Sequence, residues 1–141
     1  MSSLRHLAMH LLSLPFGLAL SYAQCSVDTV LVRGRVENPP STYQVRVQLF
    51  YAKDQPGESA EATLQSEAFR IPVEFLTQST KPLLANLHPK CDRKPKTVVV
   101  TLRAGSEQHD QVTLDLTKDF DHIDPTAFTA RSEIILNKPH E

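Results

Sequence analysis

The residues of this chain that could most readily do chemistry are the carboxylates and the histidine of segment 119–124, Asp-Phe-Asp-His-Ile-Asp. Carboxylate and imidazole groups bind metal ions, so this segment is a candidate metal site. A calcium loop of the EF-hand type would need a glycine and a distal glutamate that are absent here, and zinc would need further histidine or cysteine ligands nearby. We therefore expect a solvated turn before Pro125, with no metal and no cofactor.

Catalysis by an activated serine or cysteine has no recognisable motif in this sequence. None of the four glycines belongs to a Gly-x-Ser-x-Gly elbow, the turn that exposes a nucleophile beside a histidine. A triad or a pair of carboxylates can also assemble from distant residues, so a small hydrolase stays open as a less favoured class, and we expect no enzyme. The histidines beyond the N-terminal segment are expected at the surface: His88, His109, His122 and His140.

A basic cluster surrounds Cys91 and is the candidate partner-binding site: Lys90, Arg93, Lys94 and Lys96. It could contact an acidic protein patch, an anionic glycan or a lipid headgroup, or it could be a solvated loop. The whole chain has 15 basic and 16 acidic residues, which gives no reason to expect nucleic acid as a partner. Aromatic residues make up 6% and tryptophan is absent, so a sugar site of stacked rings has little support.

The two cysteines, Cys25 and Cys91, are expected to form one intramolecular disulfide in an oxidising compartment, because no other thiol competes. Closing so long a loop would stabilise the fold by about 4 kcal/mol. A reactive thiol pair is disfavoured since the Cys-x-x-Cys spacing is absent, and an intermolecular disulfide is the remaining alternative.

Residues 1–23 have the organisation of a secretory signal peptide. Arg5 provides the positive start, residues 7–20 form an apolar stretch too short to span a bilayer comfortably, and Ser21-Tyr22-Ala23 offers small residues before a cleavage site. Two histidines and a proline inside the segment argue against the alternatives, a buried helix or a membrane anchor. We expect cleavage before Gln24, leaving residues 24–141 as one secreted domain with no membrane span and a net charge of about −2.

Hydrophobic alternation predicts short strands along most of the mature chain. Segment 43–51 is the clearest, with Tyr43 and Tyr51 on its core-facing side, and the turn after segment 27–36 suggests that these two segments pair as a hairpin. Segment 69–75 alternates around Pro72, which places that strand at a sheet edge or at a bulge. Further strands are expected at 62–66, 97–103, 112–116 and 128–136. A polar loop is expected at 53–61 and a hairpin loop at 104–110. Segment 117–124 is the one stretch with any helical period, and segment 76–89 is left unassigned.

About seven short strands separated by turn signals predict an all-β domain. The spacing is typical of an immunoglobulin-like or transthyretin-like β-sandwich. A small closed barrel is the rival architecture, because counting strands does not separate the two.

The chain resembles the small secreted proteins of filamentous ascomycete fungi. The features that carry the resemblance are the leader, the early Cys25, segments 32–36, 45–51 and 69–75, and the basic segment 90–96 followed by a valine-rich strand. The layout is also similar to transthyretin-like secreted domains, which open with a Val-x-Gly-x-Val strand. The resemblance implies an effector or virulence factor that recognises a host or cell-surface protein, and it implies no catalytic residue. A structural or glycan-binding protein of the cell wall is the alternative. The candidate contacts are the edge at Pro72, the loop 53–61 and the basic segment.

Overall fold

The computed structural model describes residues 25–78, 94–123 and 127–138. The chain divides into two compact units, the larger comprising Val27–Phe75 and Lys94–Glu141. Of the smaller unit only residues 25–26 and 76–78 are described, so the fold and the sites below belong to the larger one. The predicted leader, Cys91 and the histidines at 88 and 140 lie outside the described residues, and the disulfide therefore stays a prediction.

Within the described residues the chain is all-β and forms two sheets. Sheet I has the order β4-β1-β8-β7, with β9 also beside β1, and sheet II has the order β3-β2-β5-β6. A short 3-10 helix, Ala52–Asp54, joins β2 to β3, and no described helix is long and apolar enough to cross a membrane. The strands are β1 (Cys25–Val36), β2 (Tyr43–Phe50), β3 (Pro56–Leu64), β4 (Ala68–Gln78), β5 (Thr97–Ala104), β6 (Glu107–Asp115), β7 (Phe120–His122), β8 (Ala127–Ala130) and β9 (Ile134–Leu136).

The inward faces of both sheets contribute to one hydrophobic core, as the predicted alternation requires. Tyr43 and Tyr51 are buried, as predicted, and burial together with the charge of Glu67 raises the pKa of Tyr43. Each fully buried aliphatic side chain stabilises the fold by about 1.5–3 kcal/mol. Those with no exposed surface are Val30, Val32, Val45, Val47, Leu49, Val98, Val100, Leu102 and Leu136. Two separate sheets around a shared core fit a sandwich rather than a closed barrel.

The predicted hairpin between segments 27–36 and 43–51 is wrong. β1 belongs to sheet I and β2 to sheet II, so the connection passes from one sheet to the other. Asn38 within it has φ 48° and is followed by two prolines. A two-residue turn could have joined neighbouring strands, whereas this longer, proline-containing connection lets the two strands face each other across the core.

The polar loop predicted at 53–61 is also wrong, because β3 begins at Pro56 and pairs with β2. Its inward positions carry small residues, Ala60 and Ala62, so its apolar alternation is weak. At the other end of the chain, the predicted strand 128–136 is two strands, β8 and β9. Both run parallel to β1, and the exposed residues Arg131, Ser132 and Glu133 separate them.

Two turn predictions have different outcomes. The hairpin near 104–110 is present, but the strands continue into it and leave only Gly105 and Ser106 as the turn. Segment 117–124 contains no helix in its described residues, since a turn leads directly into β7. Phe120 explains the difference because it is buried in the core and fixes this stretch beside β8.

Candidate functional site

The predicted basic cluster is only partly described. Lys90 and Arg93 lie outside the described residues, whereas Lys94 and Lys96 are exposed ahead of β5. The Lys94 ammonium lies 5.3 Å from the ring centroid of Phe128, within the range of a cation–π contact. The backbone of Lys96 bonds to the strands on both sides, donating to the Phe50 carbonyl at 2.8 Å and accepting from Leu116 at 2.9 Å. Partner binding by the cluster stays a prediction.

A buried carboxylate that the sequence analysis did not single out is paired with one of the histidines. His122 Nε2 lies 3.2 Å from Asp28 Oδ2, although the two residues are 94 positions apart. The Asp28 side chain is 5% exposed and that of His122 is 44% exposed. The imidazole also stacks on Phe128 at 4.1 Å between ring centroids. His122 is thus at the surface as predicted, and in addition it holds a carboxylate that is otherwise buried.

The pair spans three strands of sheet I. Asp28 lies on β1, His122 on β7, and Phe128 on the strand between them. Asp28 occupies the same face of β1 as Val30 and Val32. An acidic residue at a core-facing position of a strand needs a polar partner, and this was the sequence feature that could have identified the pair. No group of three or more His, Cys, Asp or Glu in the described residues could hold a metal ion. What the geometry supports is a clasp between β1 and β7, a hydrogen bond between the buried Asp28 and the surface residue His122.

The edges of the two sheets are the other surfaces with binding capacity, because an edge strand has backbone groups without a neighbouring strand. At one edge of sheet I, β4 carries Pro72, which confirms the predicted edge position. The Val36 N–H donates to the Glu67 carbonyl at 2.8 Å, so the backbone polar groups of Glu67 are directed toward β1. Backbone groups of successive residues point to alternate sides, and Pro72 lies an odd number of residues after Glu67. The backbone of Pro72 therefore faces the open side, where the missing N–H blocks pairing with another strand. The opposite edge, β7, has only three residues.

At one edge of sheet II, carboxylates occupy N–H groups of β6. Asp119 Oδ2 accepts from the Asp115 N–H at 2.7 Å, and Asp110 Oδ1 accepts from the Gln111 N–H at 2.7 Å. The second oxygen of Asp110 accepts from the Asn137 N–H at 2.7 Å and ties β6 to the end of β9. Backbone donors already bonded to carboxylates are unavailable to an added strand, so β6 is a protected edge.

The turn after β6 has a pH-dependent stability. Hydrogen bonds from Thr117 and from the Lys118 N–H hold the pKa of Asp115 below its ordinary value of 3.8. A carboxyl with a lowered folded pKa stabilises the fold above its unfolded pKa, and this stabilisation is lost as the pH falls through the folded pKa. We expect Asp115→Asn to be less stable than the parent at pH 7 and to approach it in stability as the pH falls through the lowered pKa of Asp115. Urea unfolding across that range checks this, and a difference independent of pH would contradict it.

The remaining edge, β3, has none of these protections over residues 59–64. Its beginning is irregular: the register shifts between Gln48 and Phe50, and Gln48 Nε2 donates to the Gly57 carbonyl at 2.7 Å. From Ser59 to Leu64 it runs in regular antiparallel register with β2, and no described strand pairs with its other side. Glu61 is the one charged side chain in this stretch, and its neighbours are small or half-buried. We call residues 59–64 the β3 edge.

No protein-family model, curated protein or solved structure matches the chain.

Proposed function

We propose that this protein is a secreted, non-catalytic binding protein that recognises another protein, of the host or of a cell surface, in the manner of an effector. Its sandwich, of an immunoglobulin-like or transthyretin-like type, serves as the scaffold. The partner supplies an extended segment, which pairs with the β3 edge as an additional strand of sheet II. Main-chain hydrogen bonds then provide affinity, and alternate side chains of the segment provide specificity.

The observation that carries this proposal is the contrast between the β3 edge and the other described edges. Among these, β9 pairs only with β1 and is three residues long, as β7 is. Proline interrupts β4, β7 is three residues long, and carboxylates occupy N–H groups of β6. Proteins use such devices to prevent unwanted pairing between strands. The β3 edge lacks them over six consecutive residues in regular register with β2. An edge strand that lacks these devices, in a domain whose other described edges have them, supports the binding of a partner segment at the β3 edge.

The predicted leader supports the location of this binding outside the producing cell, since it has the organisation of an export signal. The predicted disulfide between Cys25 and Cys91 fits the same compartment. The basic cluster, of which Lys94 and Lys96 are exposed, is a second candidate contact. A cell-wall role is the alternative, and the polar face described below is the observation that favours glycan contact.

A linear-peptide selection tests the strand-addition mechanism. A library of random 12-residue peptides would be panned against residues 24–141, and selected peptides would be measured against the variants Glu61→Pro and Ala62→Pro. Neighbouring strand residues direct their N–H groups to opposite sides, so one variant removes an outward donor and the other removes a bond to β2. We expect the variant that keeps the parent's thermal stability to bind the peptides at least about tenfold more weakly.

Glu61→Ala is the matched control because it keeps the backbone donor at the same position, and we expect its affinity to stay within about twofold of the parent's. Peptides that bind both proline variants as tightly as the parent would contradict strand addition at the β3 edge. Failure of the library to yield any extended binder would contradict it as well.

A further inference from the structure

The outward face of sheet II contains a shallow depression of about 270 Å³. Side chains from β2, β5 and β6 line it, and none of the lining residues is acidic. Arginines and glutamines dominate the lining: Arg46, Arg103, Gln48, Gln108 and Gln111, with Phe50 at one end. Guanidinium groups bind carboxylates through paired hydrogen bonds, and each carboxamide both donates and accepts.

Part of this lining is held in place by its neighbours. Gln48 Nε2 donates to the carbonyls of Leu49 at 3.1 Å and Gly57 at 2.7 Å, which fixes the amide. Its oxygen accepts from Arg46 Nη2 at 3.0 Å, so the guanidinium is oriented through the amide. On β6, Gln108 Nε2 donates to Gln111 Oε1 at 3.3 Å. A group ordered before binding loses less conformational entropy when a ligand arrives.

The two guanidinium groups of the depression lie beyond ion-pair distance of the described carboxylates. Neither Arg46 nor Arg103 forms an ion pair with a described residue. The described arginines that do so are Arg35 on β1 and Arg131 between β8 and β9. Glu61 stands opposite Arg46 in the register of β3 and β2, yet the two side chains do not pair. Arg46 and Arg103 lie on adjacent strands, two residues apart in register, so one ligand can reach both.

We propose that this face binds an acidic polysaccharide, a chain of sugars that carries uronic-acid carboxylates. The carboxylates would pair with Arg46 and Arg103, while the amides of Gln108 and Gln111 bond to sugar hydroxyls as donor and acceptor and Gln48 orients Arg46. Half-buried Phe50 and Val99 offer apolar surface to the C–H face of a sugar ring. This site lies on the face of sheet II, whereas the proposed protein contact lies along its edge, so either can be present without the other.

The experiment is a titration of residues 24–141 with a defined tetragalacturonate, followed by backbone NMR shifts and calorimetry. The comparison ligand is the same tetrasaccharide with its carboxyl groups reduced to alcohols. We expect shifts centred on β2, β5 and β6, affinity that falls with added salt, and at least about tenfold weaker binding of the reduced sugar. A tetrasaccharide sulfated on neutral sugars separates carboxylate recognition from charge attraction alone, and we expect it to bind more weakly than the galacturonate.

Arg46→Gln with Arg103→Gln should weaken galacturonate binding at least about tenfold, whereas the control Arg70→Gln, an exposed arginine on β4, should change it by less than about twofold. Thermal stability of each variant shows that the fold is retained. Equal affinity for the acidic and reduced sugars would overturn the proposal. Equal losses in the control and the double variant, or no shifts at millimolar sugar, would overturn it too.

Discussion

Replacing Gly34 by alanine should lower the free energy of unfolding by about 3 kcal/mol or more, as expected for severe overpacking. Gly34 lies on β1 and pairs with Ile134 of β9 in parallel register. A Cβ atom at this position would overlap the Ile134 carbonyl oxygen and would lie 2.6 Å from Cζ of Phe69. Because the carbonyl belongs to the backbone, relief of that overlap requires β9 to shift relative to β1, and the Phe69 ring must move as well. Urea unfolding followed by circular dichroism measures the change.

Gly105→Ala is the matched control for this prediction. Gly105 has φ 62° in the turn between β5 and β6, and a Cβ atom there would meet nothing within 4 Å. Its cost is backbone strain alone, about 1 kcal/mol. Equal losses of stability in the two variants would show that close packing of β1 against β9 is not what requires glycine at position 34.

Removing the imidazole of His122 should destabilise the fold by about 2 kcal/mol, because the buried Asp28 side chain loses this partner and keeps the hydrogen bond from the Thr29 N–H at 2.9 Å. The value is set below that for a fully buried pair, since the His122 side chain is 44% exposed and truncation admits water. In the background Asp28→Asn, the side chain at position 28 has no carboxylate. There His122→Ala should lower the free energy of unfolding by about half as much or less. Urea unfolding of the four proteins in this cycle provides the measurement.

This double-mutant cycle separates the contribution of the Asp28–His122 hydrogen bond from that of ring packing. His122 also stacks on Phe128, so some loss of stability is expected even without the carboxylate. His122→Phe keeps an aromatic ring at the position while removing the hydrogen bond, and it should still lose stability in the parent background. If His122→Ala costs the same with Asp28 or asparagine present, the hydrogen bond does not hold β1 to β7.

The strands that the sequence predicts well are those with one face in the core. Tyr43, Val45, Val47 and Leu49 alternate cleanly along β2 because it is a central strand with a polar outer face. The first part of β3, residues 56–61, was predicted as a loop because its sequence shows little apolar alternation, whereas the predicted strand 62–66 overlaps the end of β3. β7 was missed because three residues carry too short a pattern. The sheet assignment of β1 depends on distant partners, which local alternation does not encode.

The candidate sites depend on residues that only the topology brings together. Asp28 and His122 are 94 positions apart, and the turn carboxylates of β6 act on backbone groups that have no sequence signature. Pro72 is the exception, because a proline within a strand indicates an edge or a bulge from the sequence alone, and β4 is an edge strand. The face around Arg46 and Arg103 requires the register of β2 and β5, which no hydrophobic pattern specifies.

Amide hydrogen exchange of the free domain, read residue by residue by NMR, tests most directly whether β3 is an open edge and β6 a closed one. In residues 59–64 every second amide should exchange rapidly, since only alternate N–H groups bond to β2. The Gln111 and Asp115 amides should exchange slowly because carboxylates hold them. Uniform protection along residues 59–64, or rapid exchange at Gln111 and Asp115, would contradict the account.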